Sequence, residues 1–117
     1  MKLTIDLPDT LVETVVKSIM ENFPEASQCS ALYCGSYCYD PLLFNFIDTE
    51  TNKEYNLDKD ALLKAFPLLF TDKWGKGLTQ PPISDDPEVW DNWLCQADAN
   101  DFDAFVQLAC LGDVVYG

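Results

Sequence analysis

Residues 42–70 contain the pattern that most constrains the fold. Two apolar-alternating segments, LLFNFID and KEYNLD, lie on either side of the polar segment TETN. Alternation places one face of each segment in a core and the other in water, and a short polar link predicts a β-hairpin. Asn52 is the expected turn residue, because asparagine tolerates the left-handed conformation. Asp58 then caps a predicted helix, KDALLKAFPLLF, which Pro67 should kink or end early.

The first third of the chain predicts one helix between two strands. The segment KLTIDL alternates and indicates a first strand. A helix follows from Asp9, with apolar residues at helical spacing, and Pro24 should stop it after Phe23. Residues 31–39 form a predicted strand in which Gly35 marks a bend or bulge. Its tyrosines, Tyr33, Tyr37 and Tyr39, share parity, which predicts that they lie on one face.

The last third predicts a loop and two helices. Two glycines and two adjacent prolines make TDKWGKGLTQPPISDD a loop. Asp86 and Pro87 predict the start of a third helix, and Gly112 is a suitable C-terminal cap for a fourth helix near 100–111. The final DVVYG is expected to add an edge strand. We therefore predict a single α+β domain over residues 1–117, with an antiparallel sheet of three or four strands packed by about four helices.

The charge is strongly one-sided. Twenty carboxylates face seven lysines, arginine and histidine are absent, and the formal net charge is −13. Lys76 is the last basic residue, and eight acids follow it. Since 48% of the residues are apolar, the chain is expected to fold rather than to be a disordered acidic tail. Such a chain repels nucleic acid and anionic lipid, so a partner recognised through charge has to be basic. The simpler interpretation is an acidic surface that only keeps the protein in solution.

Five cysteines leave three possibilities open. Cys29, Cys34 and Cys38 have C-x4-C-x3-C spacing, which is poor for zinc, and no histidine completes a ligand set. A disulfide framework requires an oxidising compartment. The N-terminus lacks the apolar region of a signal peptide, which predicts a cytoplasmic protein. Spacing and context favour ordinary core or surface thiols over a disulfide or a metal site.

No catalytic motif is present in the sequence. Histidine is absent, so a cysteine nucleophile lacks its usual partner, and no phosphate-binding glycine loop occurs. Carboxylate pairs carry little information in a chain this acidic. We predict a protein that is not an enzyme and that has no cofactor and no metal. No apolar run approaches the roughly 18 residues that a membrane span requires.

The acids of the last third form the candidate site. We expect them on short helices whose other faces are buried, so that the carboxylates point outward as a fixed surface of one sign. An exposed tryptophan or tyrosine would add an apolar anchor. The predicted partner-binding residues are Asp85, Asp86, Glu88, Asp91, Asp98, Asp101, Asp103 and Trp74.

Two segments carry a resemblance. PLLFNFIDTETNKEYNLDKDALLKAF and the terminal FDAFVQLACLGDVVYG resemble a group of small uncharacterised proteins of prophages and plasmids. In that group a hairpin ending in D-x-E-T/D-x-K-x-Y-x-L leads into a helix. The likeness covers roughly the last two thirds of the chain and supplies no catalytic residues. Genes of this kind often lie among host-defence antagonists, and small acidic anti-CRISPR proteins are similar in size and charge.

The resemblance and the charge together imply a function. The expected protein is a non-enzymatic, anti-CRISPR-like inhibitor, a monomer or homodimer that binds neither nucleic acid nor membrane directly. Its expected partner is a basic nucleic-acid-binding protein, a CRISPR effector subunit, whose access to DNA it blocks by acidic mimicry. Two alternatives are an acidic protein–protein interaction module of another pathway and a cysteine-based metal or redox protein.

Overall fold

A computed structural model describes residues 7–26 and 32–116 of the chain. These residues form an α+β fold in which a three-stranded antiparallel sheet, ordered β1-β2-β3, packs against helices. The fold class is as predicted. The elements are α1 (Asp9–Ala26), β1 (Leu32–Tyr39), β2 (Leu42–Asp48), β3 (Glu54–Asp58), α2 (Lys59–Ala65), a 3-10 helix (Phe66–Phe70), α3 (Pro87–Gln96) and α4 (Ala99–Leu111).

The predicted hairpin is confirmed as β2 and β3. Asn52 has a φ of 62°, the left-handed conformation expected of the turn residue. Asp48 closes the turn, because its Oδ1 accepts hydrogen bonds from the backbone N–H of Glu50 at 2.8 Å and of Thr51 at 3.3 Å. Buried and more exposed residues alternate along β2. Its inner face therefore carries Phe44 and Phe46, and its outer face carries Leu43, Asn45 and Ile47.

β1 contains the predicted irregularity at Gly35, and this bulge overturns the tyrosine prediction. The register with β2 shifts between Cys34 and Ser36. Tyr33 lies opposite Ile47 on the outer face, whereas Tyr37 lies opposite Phe44 on the inner face. Tyr39 lies opposite Leu42 and shares the inner face with Tyr37. The prediction is therefore wrong for Tyr33, because the extra residue of a bulge exchanges the two faces beyond it.

The core lies between the inner face of the sheet and the helices. α1 packs on α3, α4 and α2, and its Val15, Val16 and Ile19 are buried. The indole of Trp90 is fully buried, with its ring centroid 5.4 Å from that of Phe66. An aromatic group of this size contributes more to the core than any single aliphatic side chain.

α2 ends where the sequence predicts. Asp58 is the N-cap and accepts from the backbone N–H of Ala61 at 2.9 Å. The helix stops at Ala65, and Pro67 lies in the tighter 3-10 helix that follows. Leu62 and Ala65 point into the core.

Two predicted boundaries are wrong. α1 continues through Pro24 to Ala26. Pro24 lies in the last turn, where it removes one backbone hydrogen bond and leaves the earlier turns intact. Residues 113–116 do not form the expected edge strand. The side-chain Oε1 of Gln107 accepts from the backbone N–H groups of Val115 and Tyr116, both at 2.8 Å, so these donors are not available to a strand.

The expected first strand lies mostly in residues 1–6, outside the described residues, and stays a prediction. Over residues 7–26 and 32–116, no helix combines the length and apolar character required to cross a bilayer.

Candidate functional site

The predicted site residues separate into three groups in the structure. Some are exposed on α3 or in the two residues before it, some hold helix ends together, and some are buried. We call Asp85, Asp86, Glu88 and Asp91 the α3 acidic patch, and all four are exposed.

Local sequence determines how the α3 acidic patch is presented. Asp86 is the N-cap of α3, accepting from the backbone N–H of Glu88 at 3.0 Å, and Pro87 occupies the first helical position. The opposite side of the helix carries Trp90 and Trp93, both buried. Trp90 Nε1 also donates to the carbonyl of Ser84 at 2.8 Å, which fixes the approach to the helix. The carboxylates therefore project from a helix that is anchored through its other face.

The negative charge of the patch is not compensated. No lysine follows Lys76 in the chain. Within the described ranges one ion pair forms, between Lys59 Nζ and Glu13 Oε1 at 3.0 Å, and it involves no member of the patch. Because Asp85, Glu88 and Asp91 accept no hydrogen bond from another described residue, their charge is exposed to solvent and available to a partner.

Asp101 is not exposed on the predicted binding surface, because it is buried. It is 2% exposed. Its Oδ1 accepts from Thr79 N at 2.8 Å, and its Oδ2 accepts from Thr79 Oγ1 at 2.7 Å and from Asp98 N at 2.9 Å. Asp98 is the N-cap of α4 and completes a capping box with Asp101. The expectation that the Asp101 carboxylate points outward is wrong, and Asp98, although exposed, caps α4.

Trp74 is also removed from the predicted site. It is 4% exposed, and its Nε1 donates to the carbonyl of Thr79 at 3.0 Å. The same carbonyl accepts from Trp93 Nε1 at 3.1 Å. Thr79 thus joins residues 71–86 to two indoles and to the Asp101 carboxylate, and the expected exposed anchor at Trp74 is buried instead.

Asp103 is partly buried and faces inward. Its Oδ2 accepts from Gln107 Nε2 at 2.9 Å, and its Oδ1 is buried with no hydrogen-bond partner in the described chain. Together with Asp72 and Asp113 it lines a cleft of about 610 Å³. Asp103 therefore adds little to an outward-facing surface.

Sequence reasoning missed a second polar cluster, which holds the end of the chain. Gln107 is 1% exposed and binds the tail backbone, and Tyr116 donates its hydroxyl to Asp48 Oδ2 at 2.8 Å. Burial opposes the charged form of Asp48, but hydrogen bonds from Tyr116, Glu50 and Thr51 outweigh it and lower the pKa of this carboxyl below 3.8. The hydrogen bond to Asp48, together with burial, raises the pKa of Tyr116 to about 12. No local signal marks Gln107, since its partners are tail residues that only the fold brings near.

The described cysteines are free thiols. Cys38 and Cys95 are exposed, whereas Cys34 and Cys110 are partly buried. Burial, with a contribution from the charge of Asp48, raises the pKa of the Cys110 thiol to about 12. Among the residues that the structure describes, no three His, Cys, Asp or Glu side chains are placed to hold a metal ion. Cys29 lies outside the described residues.

Comparison with known proteins does not identify a relative. No family model, no curated protein and no solved structure matches the chain.

Proposed function

We propose that this protein is a non-enzymatic inhibitor that occupies a basic, nucleic-acid-binding surface of another protein and thereby blocks DNA binding. The target class is a CRISPR effector complex in a bacterial host cell. The observation that carries this proposal is the α3 acidic patch, whose carboxylates form no ion pair with any described residue and are presented by an anchored helix and the two residues before it.

The spacing of the patch supports mimicry of a phosphate backbone. Glu88 and Asp91 are three residues apart on α3, which separates their Cα atoms by about 4.5 Å along the helix axis. One strand of B-DNA presents a phosphate about every 3.4 Å along its axis. The two spacings are close enough for a groove lined with lysine and arginine to pair with the carboxylates.

Anchoring of α3 favours binding as well. The buried Trp90 and Trp93 fix the helix before a partner arrives. A surface that is already ordered loses less conformational entropy on association than a mobile acidic tail does. Long-range attraction would accelerate encounter with a basic partner, and salt would weaken the complex.

The test is competition with DNA. Purified, crRNA-loaded effector complexes are incubated with fluorescent target DNA, and DNA binding is followed by anisotropy as the protein is added. The patch variant is D85N/E88Q/D91N, which leaves the Asp86 cap intact. The matched control is E21Q/D40N/E50Q, which removes the same number of charges from exposed positions elsewhere.

The wild type and the control should displace DNA at similar concentrations. The patch variant should require at least about tenfold more protein, because each charge pair lost at an interface costs on the order of 1 kcal/mol. Equal inhibition by the two triple variants would remove the α3 acidic patch from the mechanism. Absence of DNA displacement from every effector complex, single-protein or multisubunit, would refute the proposed function.

A further inference from the structure

The edge strand β1 lacks two features that commonly protect the edge of a sheet, a charged side chain and a proline. It pairs with β2 on one side only, so that from Tyr33 to Cys38 its other edge faces no described strand. Natural edges are blunted by charged residues or by proline. The strand sequence LYCGSYCY contains neither. Within the part of the chain that the structure describes, the backbone groups along this edge from Tyr33 to Cys38 therefore have no neighbouring strand to pair with.

The strand is exposed as well as uncharged. Tyr33 is 57% exposed and Tyr37 is 52% exposed, and the residues between them, apart from the partly buried Cys34, are exposed too. The chain has a net charge of −13, so most of its surface repels a second copy. β1 is an eight-residue strand without a carboxylate, so two copies can approach there without bringing like charges together. A basic partner would find no charge to recognise there.

The bulge at Gly35 makes β1 complementary to itself. Residues opposed in an antiparallel pair project from the same face of a sheet. Pairing of β1 from Tyr33 to Cys38 around a twofold axis sets Tyr33 opposite Cys38 and Cys34 opposite Tyr37 of a second copy. Tyr33 and Cys38 both belong to the outer face, and Cys34 and Tyr37 both belong to the inner face. In a strand without the bulge these pairs would lie on opposite faces.

We propose that β1 is a homodimer interface, at which two copies pair their β1 strands antiparallel and form one six-stranded sheet. The contact is isologous, as in most protein dimers. Each exposed tyrosine then covers a cysteine of the second copy, Tyr33 over Cys38 and Tyr37 over Cys34. This inference does not depend on the proposed function, because it uses a different surface.

Salt separates the two proposals. Both copies are acidic, so raising NaCl from 50 to 500 mM should strengthen dimerisation, whereas it should weaken binding of the α3 acidic patch to a basic partner. Sedimentation of the reduced protein over a wide concentration range measures the dissociation constant of the dimer.

The S36E variant puts two carboxylates beside the twofold axis and should weaken dimerisation about tenfold. N92E, which adds the same charge on α3, is the matched control and should dimerise as the wild type does.

Disulfide trapping tests the register. Within one chain, residues 33 and 38 are about 16 Å apart along the strand, too far to be bridged. The Y33C variant should therefore form a disulfide-linked dimer when diamide is added as the oxidant. Diamide takes two electrons and two protons from two thiols, that of the cysteine introduced at position 33 of one copy and that of Cys38 of the other. The Y33C/C38S variant should form no such dimer. Peptide mapping of the Y33C dimer identifies the two residues that the disulfide joins. A chain that stays monomeric at every salt and concentration, or a dimer without the 33–38 link, would overturn the inference.

Should S36E fail to fold, amide hydrogen exchange of the wild type gives an independent measurement. Protection of the amides of residues 33–38 should increase with protein concentration, while protection within α4 should not change. A dimer that leaves exchange in β1 unchanged would assign the interface to another surface and overturn the inference equally.

Discussion

Replacing Asp101 by asparagine should destabilise the protein severely. The carboxylate is 2% exposed and accepts three hydrogen bonds, from Thr79 N, Thr79 Oγ1 and Asp98 N. The amide of asparagine keeps one acceptor oxygen and replaces the other by a donor. That donor would face Asp98 N, itself a donor, so at least one bond is lost and one buried N–H is left without a partner.

The magnitude follows from these losses. A hydrogen bond to a charged group contributes about 1.5–3 kcal/mol, and an unpaired buried donor costs about 1–3 kcal/mol. Allowing for partial relaxation, we expect about 2–4 kcal/mol for D101N. The free energy of unfolding of a domain of this size is roughly 6–18 kcal/mol, so the loss is a large fraction of it. The melting temperature should fall by roughly 10–15 °C.

Urea denaturation followed by far-UV circular dichroism measures the change. D91N is the matched control, since Asp91 is exposed and accepts no hydrogen bond from a described residue, and its effect should stay within about 0.5 kcal/mol. If D101N is as stable as D91N, the Thr79–Asp101 connection does not hold the loop to α4, and the structural reason for excluding Asp101 from the binding surface fails.

Three further perturbations probe the tail and the thiols. The Q107L variant should lose about 2–4 kcal/mol of unfolding free energy, measured by urea denaturation, because the Gln107 side chain donates to Asp103 and accepts from two backbone N–H groups of the tail. An unchanged unfolding free energy would show that Gln107 does not hold the tail. Stability should fall as pH rises from 10 towards 12, since the pKa of Tyr116, ordinarily 10.0, is about 12 in the fold and the phenolate cannot donate to Asp48. In the Y116F variant, stability should fall less steeply over this pH range than in the wild type. The remaining fall comes from Cys110, whose pKa of about 12 lies above its ordinary 9.0. A Y116F profile identical to that of the wild type would contradict this. In peptide mapping after brief thiol labelling, Cys38 and Cys95 should react before Cys110, and the reverse order would contradict the burial of Cys110.

The sequence predicts those features that depend on neighbouring residues. Asn52 in its turn, Asp58 and Asp86 as caps and Gly112 at the end of α4 each follow from a short local pattern. A local signal also marked Gly35 as irregular. The consequence for the tyrosines was missed, because parity counting assumes an unbroken strand and one extra residue reverses every later side chain.

The candidate site was predicted only in part for a different reason. Acidic residues carry the same sequence signal whether they face a partner, cap a helix or accept buried hydrogen bonds. Asp101 is distinguished from Asp91 by Thr79, which lies 22 positions away in the chain and meets it only in the fold. Trp74 was a possible anchor by composition, and its burial depends on the same long-range contact.

Carboxyl footprinting of the complex with an effector tests the central claim most directly. Exposed carboxylates are coupled to an amine by carbodiimide, with and without the bound effector, and the modified peptides are quantified by mass spectrometry. The proposal predicts that labelling of Asp85, Glu88 and Asp91 falls several-fold in the complex, while labelling of Glu21 and Glu50 stays the same. Unchanged labelling across α3 in a complex that excludes DNA would contradict it.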